Sequence, residues 1–306
     1  MTRFLVRRVL MSIVVLWAVS TITFTILNRT GDPVTFSLEA TGATQSDIAR
    51  VKHQLGYDRP FLVQYWSFVK HGVRGNFGTS FQYGTSAMQL VLDRLPFTLR
   101  LTGVALALTL LISFPLGMLA AYKVGGVVDR LALLLAALGQ SVPSFVLGPL
   151  LIILFAASLR LLPASGSDGR ASIVLPAVTL ALYPIARITR VLRASMLDVV
   201  NSEHVRVARA RGVSERVILL RHVTRNALLP VVTLIGLQLT AMLGGAVIVE
   251  NVFAWPGIGS LARASLLAGD FAIVQVIVIL VALLVIAINL LTDLLYTVID
   301  PRISYN

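Results

Sequence analysis

The sequence predicts an all-α polytopic membrane protein, and three observations carry that expectation. Charged residues make up 13% of the 306-residue chain, about half the ~25% share of a soluble domain. The mean hydropathy is +0.85. Apolar runs near or beyond the roughly 20 residues that cross a bilayer recur along the chain. The formal net charge is +12, almost all of it from arginine. It sits between the apolar runs, so the positive-inside rule accounts for it and no nucleic-acid partner is needed. The chain has no cysteine, which excludes a disulfide framework and any Cys-based metal site.

Six spans are expected. The first is read at 9–28. The start, MTRFLVRRVLMSIVVLWAVS, has the basic opening and apolar stretch of a signal peptide. The apolar run continues through Ile22, Phe24 and Ile26, which favours a retained helix, so 1–29 is taken as an N-terminal transmembrane segment. Residues 30–96 are expected to form an extracytoplasmic helical segment. In it, SDIARVKHQLG predicts a short helix capped by Ser46 and stopped by Gly56. RPFLVQYWSFVKHG predicts a second, carrying Phe61, Tyr65, Trp66 and Phe68, and RGNFGTSFQYGTS a loop. The segment has too few apolar residues for a core of its own and suits a small cap on the outer membrane surface.

The remaining spans are read at 97–122, 131–157, 172–191, 228–249 and 272–298, together a core of 97–298, with a tail at 299–306. The fourth holds Pro176 and Pro184 and ends in arginines. Arg3, Arg7 and Arg8, then Lys123 and Arg130, then the arginine-rich stretch 192–227 fall on one side of six spans. The opposite short loops carry fewer basic residues, so both termini and this stretch are predicted to be cytoplasmic.

Catalytic motifs are missing where they would be legible. No G-x-x-x-x-G-K-[ST] loop accompanies Lys52, Lys70 or Lys123, and His53, His71, His204 and His222 never occur as H-E-x-x-H. Neither ATP hydrolysis nor an intramembrane enzyme can be assembled from these residues. Polar side chains inside the spans mark an interior face. Gln140, Ser141 and Ser144 lie around Pro143 in the third span, and Gln238 and Thr240 in the fifth. Polar groups in hydrocarbon should face other helices or a wet cavity. They are candidates for a substrate path, or for helix–helix hydrogen bonds of about 0.6 kcal/mol each. Asn289 and Asp293 share a face of the sixth span. A proton-coupled secondary transporter would have Asp293 as its sole ion-coupling candidate; a structural partner is the other reading.

The stretch SEHVRVARARGVSERVILLRHVTRNALLP, 202–230, concentrates six arginines around Gly212. Ser202 can cap a short helix with Glu203 at its positive end. Gly212 suits the left-handed position that ends it. Ser214 can cap a second helix, in which Val213, Val217 and Leu220 form a stripe. One reading is a basic loop snorkelling at the membrane surface. The other is a compact projection that slots into a groove of another protein, which Ala208 and Ala210 beside the turn favour.

The stretch resembles the cytoplasmic signature loop of ABC importer permeases, E-A-A, three residues, then G. Aligned on Gly212, Arg206, Val207 and Ala208 stand at the E-A-A positions, so only Ala208 and the glycine match strictly. HVRVARARG…NALLP is similar to the dipeptide/oligopeptide/nickel branch. LGYDRPFLVQYWSFVKHGVRGNFGTSF, DRLPFTLRLT, VPSFVLGPLLIILFA, LLPASG, ENVFAWPGIGSLARASLLAGD and NLLTDLLYTVIDPRI look like that branch's B-type subunit, in order across nearly the whole chain. The resemblance implies a type I ABC importer transmembrane domain in a bacterial or archaeal cell membrane, importing short peptides or, alternatively, nickel chelates, glutathione or another small solute. It implies coupling to the ATPase through Glu203, Arg206, Ala208, Arg209 and Gly212. Implied partners are a second homologous permease subunit, two cytoplasmic ABC ATPase subunits or one fused, and an extracytoplasmic solute-binding protein. ATP and Mg would be used by the ATPases, with no cofactor on this chain.

Overall fold

The computed structural model describes residues 2–30, 35 and 44–299. The expected tail beyond Ile299, and the part of the extracytoplasmic segment before Thr44 other than Thr35, lie outside the described residues. In chain order the helices begin with α1 (Thr2–Thr30), α2 (Gln45–Leu55), α3 (Phe61–Gly72) and α4 (Ala87–Tyr122). Next come α5 (Val127–Ser141), α6 (Ser144–Leu151) and α7 (Val174–Val200). The chain ends with α8 (Glu203–Ala210), α9 (Glu215–Val217), α10 (Thr224–Val252), α11 (Ile258–Leu267) and α12 (Phe271–Ile299). Among the described residues, α1, α4, α7, α10 and α12 are long and apolar enough to cross a membrane.

The third span departs from expectation. Instead of one helix over 131–157, α5 and α6 meet at a bend of 106°. Pro143 has no N–H to offer the carbonyl of Gly139, and its ring drives Val142 to an extended φ of −99°. Beyond α6 the helix loosens into a π turn, Ile152–Ser158. Counted as one crossing, the bent pair brings the spans to six. Two other spans outrun their expected limits by nine or ten residues. Helix α4 starts ten residues before 97, and α7 continues unbroken through Pro184 to Val200.

The chain divides into two compact units. One comprises the residues up to Thr98 with Pro256–Ala287. In it α3 lies against α1: the Phe24 ring sits 5.5, 5.5 and 5.1 Å from those of Phe61, Tyr65 and Phe68. Asn28 donates to Gln64 at 3.1 Å. Helix α2 is capped by Thr44, which accepts from the Asp47 N–H, rather than by Ser46 as expected; Gly56 ends it at φ 75°. The loop before α4 is fastened by buried Ser80, whose hydroxyl donates to the buried Asp270 carboxylate at 2.5 Å. Ala87 and Val91 of α4, Ile258 and Leu261 of α11, and Ile273, Val276 and Ile277 of α12 form its apolar core.

The other unit comprises Leu99–Trp255 and the residues from Ile288 on. Helix α7 is its centre, packed by α5, α6 and α10. Small residues allow the close approach that substitutes for a hydrophobic driving force between helices in lipid. A Cβ at Gly139 of α5 would lie 2.8 Å from the Ala186 Cβ of α7. One at Gly236 of α10 would lie 2.5 Å from the Thr292 hydroxyl of α12.

Candidate functional site

The arginine-rich stretch folds as a helix, a turn and a helix, all within the second unit. Helix α8 shows one apolar side. Val205 is fully buried and Ala208 partly so, while Glu203, Arg206, Val207, Arg209 and Ala210 are exposed. Val205 anchors the loop in a cluster with Ile188, Leu192 and Met196 of α7, Ile218 and Val223 after α9, and Ala227, Val231 and Leu234 of α10; Ala121 of α4 completes it. The loop is therefore one piece with the ends of three spans.

Gly212 adopts φ 75°, a left-handed conformation that costs other L-residues about 1–2 kcal/mol. Its amide donates to the Arg209 carbonyl at 2.9 Å, closing α8. A Cβ added there would meet nothing within 4 Å, so the turn stands clear of the rest of the chain. Across it the Arg209 guanidinium pairs with the Glu215 carboxylate through two hydrogen bonds. That hydrogen bonding, then the cation's field, holds the Glu215 carboxyl below its ordinary value; Arg209 is raised by the same pair. His204 meets Asn226 of α10 at 3.3 Å, a second tie from α8 to the span.

Three local expectations are corrected. Ser202 and Ser214 occupy N-cap positions, yet neither side chain caps. The Ser202 hydroxyl instead turns back to the Val199 carbonyl at 2.5 Å. Of the expected stripe through Val213, Val217 and Leu220, Val213 packs against the Val205 cluster, Val217 does not, and the Leu220 side chain lies outside the described residues. Val217 is exposed, and Ile218 and Val223 are the buried pair. Residues 218–223 are a π-helix, whose i→i+5 bonding brings residues five apart into register.

The sequence reading missed the partner of Arg209 and a second ion pair. Glu215 sits at the start of α9, where a carboxylate is favourable to the helix dipole. Asp129, 2% exposed, accepts from Arg193 of α7 at 2.5 and 2.9 Å and from the Gly125 N–H at 2.8 Å. The signals were there: a lone acid in a basic loop, and an arginine on the inner face of a helix end.

The expected substrate-path residues fall into two groups. Gln140 and Ser141 end α5, donating to the Ala136 and Ala137 carbonyls of their own helix at 3.0 and 2.8 Å. Ser144 opens α6, so these three flank the bend. On α10, Thr240 donates to Gly236 at 3.2 Å. Gln238 is 2% exposed, and its Oε1 has no hydrogen-bond partner. Among the described residues no hydrogen bond joins the two groups. Asp293 is half-buried on α12.

These features define a multi-pass helical membrane protein whose loop between the fourth and fifth spans is a compact, cationic projection. Residues 113–305 match the model for the binding-protein-dependent transport system inner membrane component, and residues 1–102 the N-terminal model for such membrane components. The chain belongs to that family: it is a permease subunit of an ABC importer, an integral inner-membrane protein that works with ATPase and substrate-binding partners. Translocation is its role, and ATP hydrolysis belongs to the separate ATPase. The oligopeptide transport system permease protein AppB of Bacillus subtilis is 36% identical over 317 residues, covering 100% of both chains. The probable peptide ABC transporter permease protein y4tP of Sinorhizobium fredii is 38% identical over 311 residues, 99% of each. The glutathione transport system permease protein GsiC of Salmonella typhimurium is 37% identical over 306 residues, 100% of each. In fold, the chain matches one from inward-facing conformations of the MetNI methionine ABC transporter, with TM-score 0.56 and 21% identity over 70% of this chain and 97% of that one. This is the type I importer fold.

Proposed function

We propose that the chain forms half of a pore that imports short peptides, di- or oligopeptides, with a second homologous permease subunit supplying the other half. An extracytoplasmic solute-binding protein delivers the peptide to the outer face. Two cytoplasmic ATPase subunits, or one fused, bind ATP and Mg. The observation that carries the coupling part of this reading is the loop of residues 203–215. It is pinned inward by Val205 and closed by Gly212, and it presents Glu203, Arg206 and Arg209 outward. In this reading α8 seats in a cleft of the ATPase, with Ala208 and Gly212 keeping the contact close. Closure of the ATPase pair moves the loop, and the shared apolar cluster carries that movement into α4, α7 and α10. Arg206 favours acidic groups on the ATPase side, while Arg209 is held by Glu215.

Peptides are favoured as cargo by the names of the full-length relatives AppB and y4tP. Glutathione, itself a small peptide, is the second reading, favoured by the relative GsiC; nickel chelates would use the same architecture. Uptake by the complete complex in proteoliposomes tests this, with labelled di- to pentapeptides and glutathione offered in parallel. Import of peptides that requires both ATP and the binding protein is expected. Import of glutathione alone would replace the peptide reading.

A further inference from the structure

The apolar cluster beneath the loop draws on α4, α7 and α10 but on no residue of α5. Helix α5 packs along α7, burying Ala132, Ala136 and Gly139, and near the loop it adds an ion pair. Asp129 lies in its first turn and Arg193 about two turns before the end of α7. The pair has two hydrogen bonds, both side chains are largely shielded, and the Gly125 N–H takes a remaining carboxylate position. Further along, Gly139 of α5 rests on Ala186 of α7, so the two helices run antiparallel and touch near both ends of α5. One turn after that contact, α5 reaches the bend flanked by Gln140, Ser141 and Ser144.

We infer that Asp129 and Arg193 are positioning residues that hold α5 to α7 through the transport cycle, so that movement of the coupling loop reaches the bent third span. This inference rests on the coupling role proposed for the loop. A planar guanidinium on a carboxylate fixes both distance and orientation, which apolar contact alone does not. The polar neighbours Lys123 and Arg130 are exposed and leave the carboxylate to Arg193.

The chain has no cysteine, so labels can be placed singly. Val127 and Ala194 are exposed next to the pair. Spin labels at these two positions in the complete, reconstituted complex should report one distance in the nucleotide-free and ATP-trapped states. In Asp129→Asn the distance should broaden or shift between states. Labelled di- to pentapeptide imported per ATP hydrolysed should fall roughly ten-fold, within the usual range of coupling between sites. The exchanged pair Asp129→Arg/Arg193→Asp should recover most of that loss. Two states with different label distances in the unsubstituted complex would overturn the inference, and so would an unchanged import-to-ATP ratio in Asp129→Asn. If Asp129→Asn does not assemble, Arg193→Lys, which keeps the charge and loses the fork, is read by the same ratio. Gly212→Glu run alongside separates the two readings: if it blocks import and Asp129→Asn does not, only the joint fails. If Gly212→Glu itself imports normally, the coupling role of the loop fails.

Discussion

Gly212 carries two separable demands. Its backbone is left-handed, and space around it is open within the chain. Gly212→Ala should therefore cost about 1–2 kcal/mol through conformation alone, leaving most transport intact. Gly212→Glu also brings a carboxylate to the face proposed for the ATPase, and Ala208→Asp brings one to the edge between that face and the apolar cluster under α8. Both should abolish ATP-dependent uptake while the complex still forms, measured by uptake and co-purification side by side. Equal uptake by the alanine and glutamate variants would mean that conformation, not docking, is what the glycine provides. At this scale the sequence was legible where a residue's own chemistry decides. Glycine at a helix end is such a case, and Gly56 and Gly212 are both left-handed. It was less legible where a hydroxyl can choose among nearby backbone groups. Thr44 displaces Ser46 as a cap, and Ser202 bonds backward to Val199.

At the scale of elements, helices meet where side chains shrink. Gly236 and Gly244 are both on α10, yet a Cβ at the first would lie 2.5 Å from the Thr292 hydroxyl, and at the second would meet nothing within 4 Å. Gly236→Ala should lower the thermal midpoint of the purified protein, by overpacking of about 1–3 kcal/mol. Gly244→Ala should leave it equal or raise it, since alanine restricts the unfolded chain by about 0.4–1 kcal/mol. Opposite shifts in a thermal melt support the close α10–α12 approach; a harmless Gly236→Ala would refute it. Spans were readable because hydropathy is a property of a segment by itself. The bend after Ser141 and the π stretch 218–223 were not. Pro143 marks a break but gives no angle, and a shift from 3.6 residues per turn shows only once tertiary contacts choose which side chain is buried. Asp129 and Arg193, 64 residues apart, were out of reach of any local pattern.

At the scale of the whole molecule, the proposed reading makes this chain one half of a pore. The chain reconstituted alone should import nothing on a proton gradient, and uptake should appear only with the ATPase, the binding protein and ATP. Accumulation of labelled peptide by the lone chain would show a secondary transporter and sink the importer mechanism. The bend between α5 and α6 extends this point from subunits to solvent. Where a helix turns through 106° around a proline, some carbonyls have no N–H of their own to accept from, and acyl chains offer none. A break of this kind is stable at membrane depth only beside water or another polypeptide. At such depth the kink would work as a hydration mark written into the backbone, and water or polypeptide rather than lipid is expected at the flank that carries its freed carbonyls, whatever cargo passes it.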